Sequence, residues 1–167
     1  MIVSNSSPLI YLAKLRKLKL LKELFGKVFI PSEVYEEVVI SGKEKSFSDA
    51  FLVEKAKIDG WLHIETINNK KEISSFPSEI DYGEAAAIIL AKKKNASLLL
   101  IDDASARAIA QSFGLKVKGT IFVILQAYKN KLISKQETKS LMASLVREGF
   151  RISHELYVSV LEEIDKN

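Results

Sequence analysis

The chain has 167 residues, 47% of them hydrophobic and 28% charged, which fits a single globular domain and excludes a largely disordered protein. It contains no cysteine, which excludes disulfides, thiol nucleophiles, zinc ribbons and iron–sulfur clusters, and its two histidines argue against an imidazole-dominated metal site. The formal net charge of +4 is compatible with a polyanionic ligand, and equally with a lysine-rich solubilising surface.

The sequence shows no sign of export or of membrane insertion. Met1 to Asn5 lack the basic start and the long apolar run of a secretory signal. No stretch reaches the roughly 20 apolar residues that are needed to cross a bilayer. We therefore expect a cytoplasmic protein without a membrane partner.

In the first half of the chain, short apolar runs alternate with helical patterns. Asn5-Ser6-Ser7-Pro8 is typical of a helix start, because Ser and Asn cap helices and Pro suits the first turn. An unbroken helical rhythm then leads to Phe25, and Gly26 is expected to end the helix. The other predicted elements are strands at Ile2–Val3, Val28–Ile30 and Trp61–Ile64, a helix opened by Pro31-Ser32 and closed by Ser41-Gly42, a helix at Phe47–Ile58, and a polar loop at Asn68–Ser78.

The second half of the chain is more regular. Ser97–Ile101 is an apolar run typical of a strand covered on both faces, and Asp102-Asp103 follows it directly. Gly114 is expected to end the helix after that pair. The remaining predicted elements are helices at Ala85–Lys94, Ala104–Phe113, Ile121–Tyr128, Lys135–Arg147 and Ser153–Ile164, and a short strand at Val117.

This alternation of strands and helices predicts an α/β fold, with a parallel sheet covered by helices on both faces. No repeat or linker divides the chain, so we expect residues 1–167 to form one domain. The last two helices carry apolar stripes that fit either the core or a dimer interface, and the sequence does not decide between the two. The stripe residues are Leu141, Leu145, Leu156, Val160 and Leu161.

Polar residues stand where the predicted strands end. In open parallel sheets, ligands bind outside the carboxyl ends of the strands. Asp81 and Glu84 are three residues apart and therefore share one helix face. Carboxylates that lie close together need a cation to stay ionised, and oxygen ligands select hard cations such as Mg²⁺ or Mn²⁺. The residues at these positions are Asn5, Glu33, Glu36, Glu37, Asp81, Glu84, Asp102 and Asp103.

Each acid also has a purely structural explanation. Asp81 and Glu84 suit the first turn of a helix by their charge. Asp102 or Asp103 can cap the helix that follows them. Glu33 and Glu36 are explained as solvated helix surface, and Glu37 is equally well explained in this way.

With these residues the sequence resembles the PIN-domain family, in particular a toxin-type prokaryotic branch of it. The resemblance covers nearly the whole chain, and its motifs are specific in combination rather than singly. They are Val3–Ile10, Pro31–Val38, Asp81–Ala85, Leu100–Asp103, Ala106-Arg107 and Gly119-Thr120.

PIN domains are typically Mg²⁺- or Mn²⁺-dependent ribonucleases, and many are the toxins of toxin–antitoxin pairs. The resemblance therefore implies a three-layer α/β/α sandwich with a central parallel sheet, here with extra C-terminal helices. It also implies an endoribonuclease whose partners are RNA, a small antitoxin protein and a second copy of the chain in a homodimer. By position, the acids that would hold the metal are Glu37, Glu84 and Asp103, with Asp102 and Asp81 beside them.

Asn5 departs from the family pattern, which has Asp at this place. An amide ligates through its carbonyl oxygen but lacks the charge, so the resemblance implies weaker metal binding, with Asp81 replacing part of that charge. Ser7 offers a supporting hydroxyl, and Arg107 offers either a phosphate contact or a salt bridge to a nearby acid. The predicted catalytic residues are Asn5, Glu37, Glu84, Asp102 and Asp103.

The leading hypothesis from the sequence is metal-dependent cleavage of RNA phosphodiester bonds. The alternative is a PIN-fold protein with a weakened site that binds RNA or a protein partner, and Asn5 favours this alternative. A receiver-type phosphoacceptor is disfavoured because its acid pair would follow the first strand. A dinucleotide site is disfavoured because no glycine-rich loop follows that strand.

Overall fold

One parallel sheet organises the protein. Within residues 1–166, which the computed structural model describes, its five strands have the order β3-β2-β1-β4-β5. The strands are β1 (Ile2–Ser4), β2 (Val28–Pro31), β3 (Leu62–Glu65), β4 (Leu98–Leu100) and β5 (Val117–Lys118). In the central strand, Val3 pairs with Phe29 on one side and Leu99 on the other. The chain order thus reverses between β1 and β4, where open sheets bind ligands at the carboxyl edge.

Helices connect these strands. They are α1 (Ser6–Lys14), α2 (Lys19–Phe25), α3 (Ser32–Tyr35), α4 (Gly42–Glu44), α5 (Ser48–Ile58), α6 (Lys70–Ile73), α7 (Tyr82–Lys93), α8 (Ala104–Ser112), α9 (Thr120–Lys129), α10 (Lys135–Arg147) and α11 (His154–Lys166). A π-helical segment, Glu36–Ser41, joins α3 to α4. No helix in this part of the chain is long and apolar enough to cross a membrane.

Two cores fill the space between the sheet and the helices. The first, which includes Leu100, packs under α1, α2, α5, α9, α10 and α11. The second, which includes Leu99 and Ile101, packs under α6, α7 and α8. Since apolar side chains project from both faces of the sheet and helices cover them, the predicted three-layer α/β/α sandwich is confirmed.

The C-terminal helices belong to the first core. Leu141, Leu145 and Val160 are buried there, whereas Leu156 is 49% exposed. Most residues of the apolar stripes of α10 and α11 therefore belong to the core of the domain, and a dimer interface formed by these helices stays a prediction.

The predicted long helix up to Phe25 is wrong, because the structure has α1 and α2 separated by a turn. Arg16 takes the left-handed conformation with φ 56°. The Lys17 N–H donates to the Leu12 carbonyl and the Arg16 N–H to that of Ala13. This is a Schellman motif, which usually has Gly at the left-handed position. With Arg there, the sequence gives no stop signal.

The helix after β2 does not close at Gly42 as predicted. It continues through the π segment into α4. A Cβ at Gly42 would lie 2.9 Å from Cβ of Ala50, so this glycine permits close helix packing rather than a turn. The predicted loop after β3 also contains a short helix, α6, whose Ile73 is buried.

Candidate functional site

The two acids after β4 point to opposite sides of the sheet. Successive side chains alternate along a strand, and Leu100 faces the first core while Leu99 and Ile101 face the second. Continuing this alternation, Asp102 falls on the α9 side and Asp103 on the α7 side. Their contacts agree with this division.

Asp103 and the start of α7 form the centre of an acidic cluster. Asp81 caps α7 by accepting a 2.7 Å hydrogen bond from the Glu84 N–H, and its own N–H donates 3.1 Å back to the Glu84 carboxylate. This reciprocal capping box fixes both side chains at the carboxyl edge of the sheet. Asp103 caps α8 by accepting a 2.9 Å bond from the Ala106 N–H. The structural roles expected for Asp81 and for one of the paired aspartates are therefore present.

Glu84 is the most perturbed acid in this cluster. The residue is only 6% exposed. Burial, and then the charge of Asp81, raise the pKa of Glu84 to about 7, while its backbone hydrogen bond with Asp81 lowers it. The charges of Asp103 and Glu37 raise it further. The negative charges of carboxylates from three parts of the chain therefore raise the pKa of one buried carboxyl group.

Glu37 reaches this cluster from the π segment. Its carboxylate accepts a 2.5 Å hydrogen bond from the Ser6 hydroxyl. Partial burial raises the pKa of Glu37; the Ser6 bond lowers it, Asp81 raises it, and Lys45 lowers it. A π turn holds an extra residue, which changes the direction of the side chains that follow, and such turns are frequent at functional sites. Sequence periodicity does not reveal this turn.

Gly83 allows α7 to approach the Glu37 carboxylate. A Cβ at Gly83 would lie 2.9 Å from Oε2 of Glu37 and 3.5 Å from Oδ1 of Asp81. These residues line a groove of about 390 Å³ together with the exposed Tyr82. The glycine therefore permits the close contact of two acidic elements.

Asn5 directly follows β1 and is the N-cap residue of α1. Its backbone N–H donates to the Leu100 carbonyl at 2.9 Å, which fixes it between β1 and β4. The residue is 2% exposed, and its side-chain Oδ1 is buried without a hydrogen-bond partner within the described residues. A buried acceptor without a partner costs free energy, so this oxygen is available to a donor or a cation.

Asp102 makes a separate set of contacts. Its two oxygens accept 2.7 and 2.6 Å bonds from the N–H and the hydroxyl of Thr120. Burial raises the pKa of Asp102, against the lowering effect of these bonds and of the Arg107 charge. A Cβ at Gly119 would lie 2.4 Å from Oδ1 of Asp102, so the glycine makes room for this carboxylate. The structure does not bring Asp102 into the acidic cluster, and its role as a metal ligand stays a prediction.

The supporting residues differ partly from those expected. Ser6, which the sequence did not single out, contacts Glu37, whereas the proposed role of Ser7 stays a prediction. The only available signal was the Ser-Ser pair at a helix start. Arg107 lies close enough to Asp102 to lower its pKa, without forming one of the salt bridges of the described residues.

The acidic cluster offers only oxygen donors, which suit a hard divalent cation. The like charges around Glu84 and the unpartnered Asn5 oxygen fit such an ion. In residues 1–166, however, no three acidic or histidine side chains already form a closed metal cage. Glu37, Glu84 and Asp103 are instead held by hydrogen bonds to the protein, so binding would require their carboxylates to turn.

Comparison with known proteins gives a family and a fold. The DUF3368 family model, described as a PIN domain, matches residues 1–166. Among solved structures, the chain is similar to a PilT N-terminus domain protein from the hyperthermophilic archaeon Sulfolobus solfataricus, with a TM-score of 0.53 and 16% identity. That match covers 77% of this chain and 94% of the archaeal one, and at this identity the likeness concerns the fold alone. No curated protein matches the chain.

Proposed function

The chain belongs to the DUF3368 family of PIN domains, and from that premise we propose that it is an endoribonuclease that requires Mg²⁺ or Mn²⁺. PIN domains have a nuclease-type fold and generally depend on a divalent metal. The observation that carries the proposal is the electrostatic strain at Glu84. A buried carboxyl group whose pKa is raised to about 7 by burial and by three neighbouring acids is one that a cation would stabilise in its charged form.

The residues that would hold the cation are Glu37, Glu84 and Asp103, with the Asn5 oxygen and Asp81 assisting. When bound, the metal would supply positive charge to the scissile phosphate and to its attacking water. Because the pKa of Glu84 is raised to about 7, cation binding near neutral pH would displace a proton from this carboxyl group. Before a cation binds, the Ser6 hydroxyl holds the Glu37 carboxylate and the helix caps hold those of Asp81 and Asp103, and binding would exchange some of these hydrogen bonds for contacts with the cation.

The test is cleavage of labelled single strands of mixed sequence. The protein is incubated with RNA or DNA of the same sequence, in Mg²⁺, in Mn²⁺, or in EDTA. We expect internal cleavage of the RNA with either metal, and none in EDTA. Metal-independent cleavage, or no cleavage under any condition, would contradict the proposal.

Replacing Gly83 tests whether metal binding depends on the close approach of α7 to the Glu37 carboxylate. In Gly83→Ala, the new methyl group displaces the flexible end of Glu37, which costs the fold little. Because Ala favours a helix over Gly by up to about 1 kcal/mol, the melting temperature without metal should be equal or higher. We expect the stabilisation by Mn²⁺, measured by circular dichroism, to fall. An undiminished response would show that this contact has no part in the site.

A second candidate function is a binding module with a weakened metal site, which the uncharged Asn5 favours. Asn5→Asp separates the two. A further carboxylate beside Glu84 should lower the melting temperature without metal and tighten Mn²⁺ binding on the order of tenfold, as read by calorimetric titration. If the parent protein neither binds Mn²⁺ nor cleaves RNA while Asn5→Asp binds the ion, the binding module is the better description.

The resemblance also motivates proposals about partners. We propose a toxin role, a small antitoxin partner and a homodimer, all on the basis of the PIN family. Co-expression with the product of an adjacent reading frame tests the antitoxin, and light scattering tests the dimer. A monomer that elutes without that product would contradict both.

A further inference from the structure

A groove lined by cations lies on the α9 side of the sheet, where Asp102 follows β4. We call it the basic groove and define it by Arg107 of α8, Lys118 of β5, Phe122 of α9, and Phe150 and Arg151 between α10 and α11. Its volume is about 500 Å³. Asp102 lines this groove, and the next residue in the chain, Asp103, belongs to the acidic cluster. A lining residue of the basic groove is therefore adjacent in the chain to a proposed metal ligand.

The three cations that define the basic groove are available to a ligand. None of them belongs to a salt bridge between residues 1–166. Lys118 and Arg151 are exposed. Two acids line the same groove: Asp102 has both oxygens occupied by Thr120, and Glu163 is paired with Lys129, which also lines the groove. The lining thus holds four cations and two acids, which leaves an excess of positive charge in the groove.

Aromatic rings accompany these cations. The Lys118 ammonium lies 5.3 Å from the centroid of the Phe122 ring. Phe150 packs edge-on against Tyr11, with ring centroids 5.0 Å apart. Arg151 lies close enough to lower the pKa of Tyr11, although burial and Asp102 raise it. Rings beside cations are the features with which proteins bind single-stranded nucleic acid, through base stacking and phosphate contacts.

We propose that the basic groove binds the segment of single-stranded RNA next to the scissile phosphate. A duplex would keep its base faces stacked and away from the rings, so a single strand fits the groove better. The proposal rests on the proposed ribonuclease function, because it takes its substrate class from that function. It assigns Lys118 and Arg151 to phosphates and Phe122 to a base.

The test measures binding without cleavage. The anisotropy of a labelled ten-nucleotide oligouridine is titrated with protein in EDTA, at several salt concentrations. We expect Lys118→Ala/Arg151→Ala to weaken binding at least tenfold and to reduce the salt slope by about 1.4, since each phosphate contact on a single strand contributes about 0.7. Phe122→Leu should weaken binding roughly tenfold through lost stacking, with little change in the slope.

Matched variants separate a local site from general charge and from misfolding. Lys22→Ala/Lys27→Ala removes the same charge at the amino edge of the sheet and should bind RNA within twofold of the parent. Lys118→Arg/Arg151→Lys keeps the charge and should restore binding. Equal weakening by both alanine pairs would overturn the proposal, because net charge alone would then explain binding.

The outcomes also distinguish this proposal from the nuclease proposal. RNA that is cleaved with metal, but bound equally by the parent and by Lys118→Ala/Arg151→Ala, overturns the basic groove and leaves the nuclease standing. RNA that is bound through the groove but never cleaved would support the basic groove and contradict the nuclease proposal. If a labelled oligoglutamate binds while oligouridine does not, the groove belongs to an acidic protein partner, and the RNA proposal is wrong.

Discussion

At pH 8 and without divalent cations, Glu84→Gln is expected to unfold at a higher temperature than the parent protein, by roughly 6–12 °C. The pKa of Glu84 is raised from 4.5 to about 7 in the folded protein. Each tenfold change in acidity corresponds to about 1.4 kcal/mol, so ionising Glu84 costs about 3 kcal/mol of folding stability. For a domain of this size, 1 kcal/mol shifts the melting temperature by about 2–4 °C.

The same pKa fixes the pH dependence of stability. Below pH 4.5, Glu84 is protonated in both the folded and the unfolded states, and no stability is lost at this group. As the pH rises from 4.5 through about 7, the unfolded state releases its proton first, so stability falls. The raised pKa of Glu37 acts in the same direction. Glutamine keeps the capping box and removes the titration, so Glu84→Gln should show a weaker fall over this window.

Divalent cations should reverse this loss of folding stability in the parent protein but not in Glu84→Gln. Mn²⁺ at 100 times its dissociation constant would add about 2.7 kcal/mol to the folded state. In Glu84→Gln the ion loses the charge of its most buried carboxylate, and we expect little or no stabilisation. Thermal unfolding at pH 5, 6, 7 and 8, with and without Mn²⁺, measures both effects. Equal melting curves of the two proteins at pH 8, or equal responses to Mn²⁺, would contradict the account.

The second large effect is expected from one of two neighbouring aspartates. Asp103→Asn should lower the rate of RNA cleavage at least about 100-fold, because it removes a charge from the proposed metal site. Asparagine is a good N-cap, so the 2.9 Å bond from the Ala106 N–H and the fold should be retained. The rate is measured with labelled RNA under single-turnover conditions in Mn²⁺.

Asp102→Asn is the matched control for that variant. Its amide oxygen can still accept the Thr120 N–H, and its amino group can donate to the Thr120 hydroxyl oxygen. We therefore expect a folded protein that cleaves RNA within a few-fold of the parent rate. A comparable loss in both variants would make Asp102 a ligand as well, as the sequence resemblance implied. An active Asp103→Asn protein would remove Asp103 from the site.

The elements that the sequence predicted well are those with strong local signals. The apolar run at β4 indicates a strand, and the Asn-Ser-Ser-Pro segment indicates the start of α1. The glycine after α2 indicates the end of that helix. The parallel topology then follows from alternation, and it brings distant acids to one edge of the sheet. Alternation therefore indicated which acids lie at this edge, and the resemblance to the PIN family singled out Glu37, Glu84 and Asp103 among them.

Other features depend on contacts between distant residues or on unusual backbone conformations. The Schellman turn at Arg16 lacks the glycine that would have marked it. The bond from Ser6 to Glu37 joins residues 31 positions apart, through a π turn that periodicity does not reveal. The different directions of Asp102 and Asp103 could have been predicted from the sequence, since adjacent side chains along a strand point to opposite sides of the sheet.

The most direct test of the proposed metal site is the anomalous scattering of Mn²⁺ in crystals of the parent protein. We expect a peak at the carboxyl edge of the sheet, within bonding distance of carboxylate oxygens of Glu84 and Asp103, and its loss in Glu84→Gln crystals. A peak elsewhere, or none at Mn²⁺ concentrations that support RNA cleavage, would contradict it.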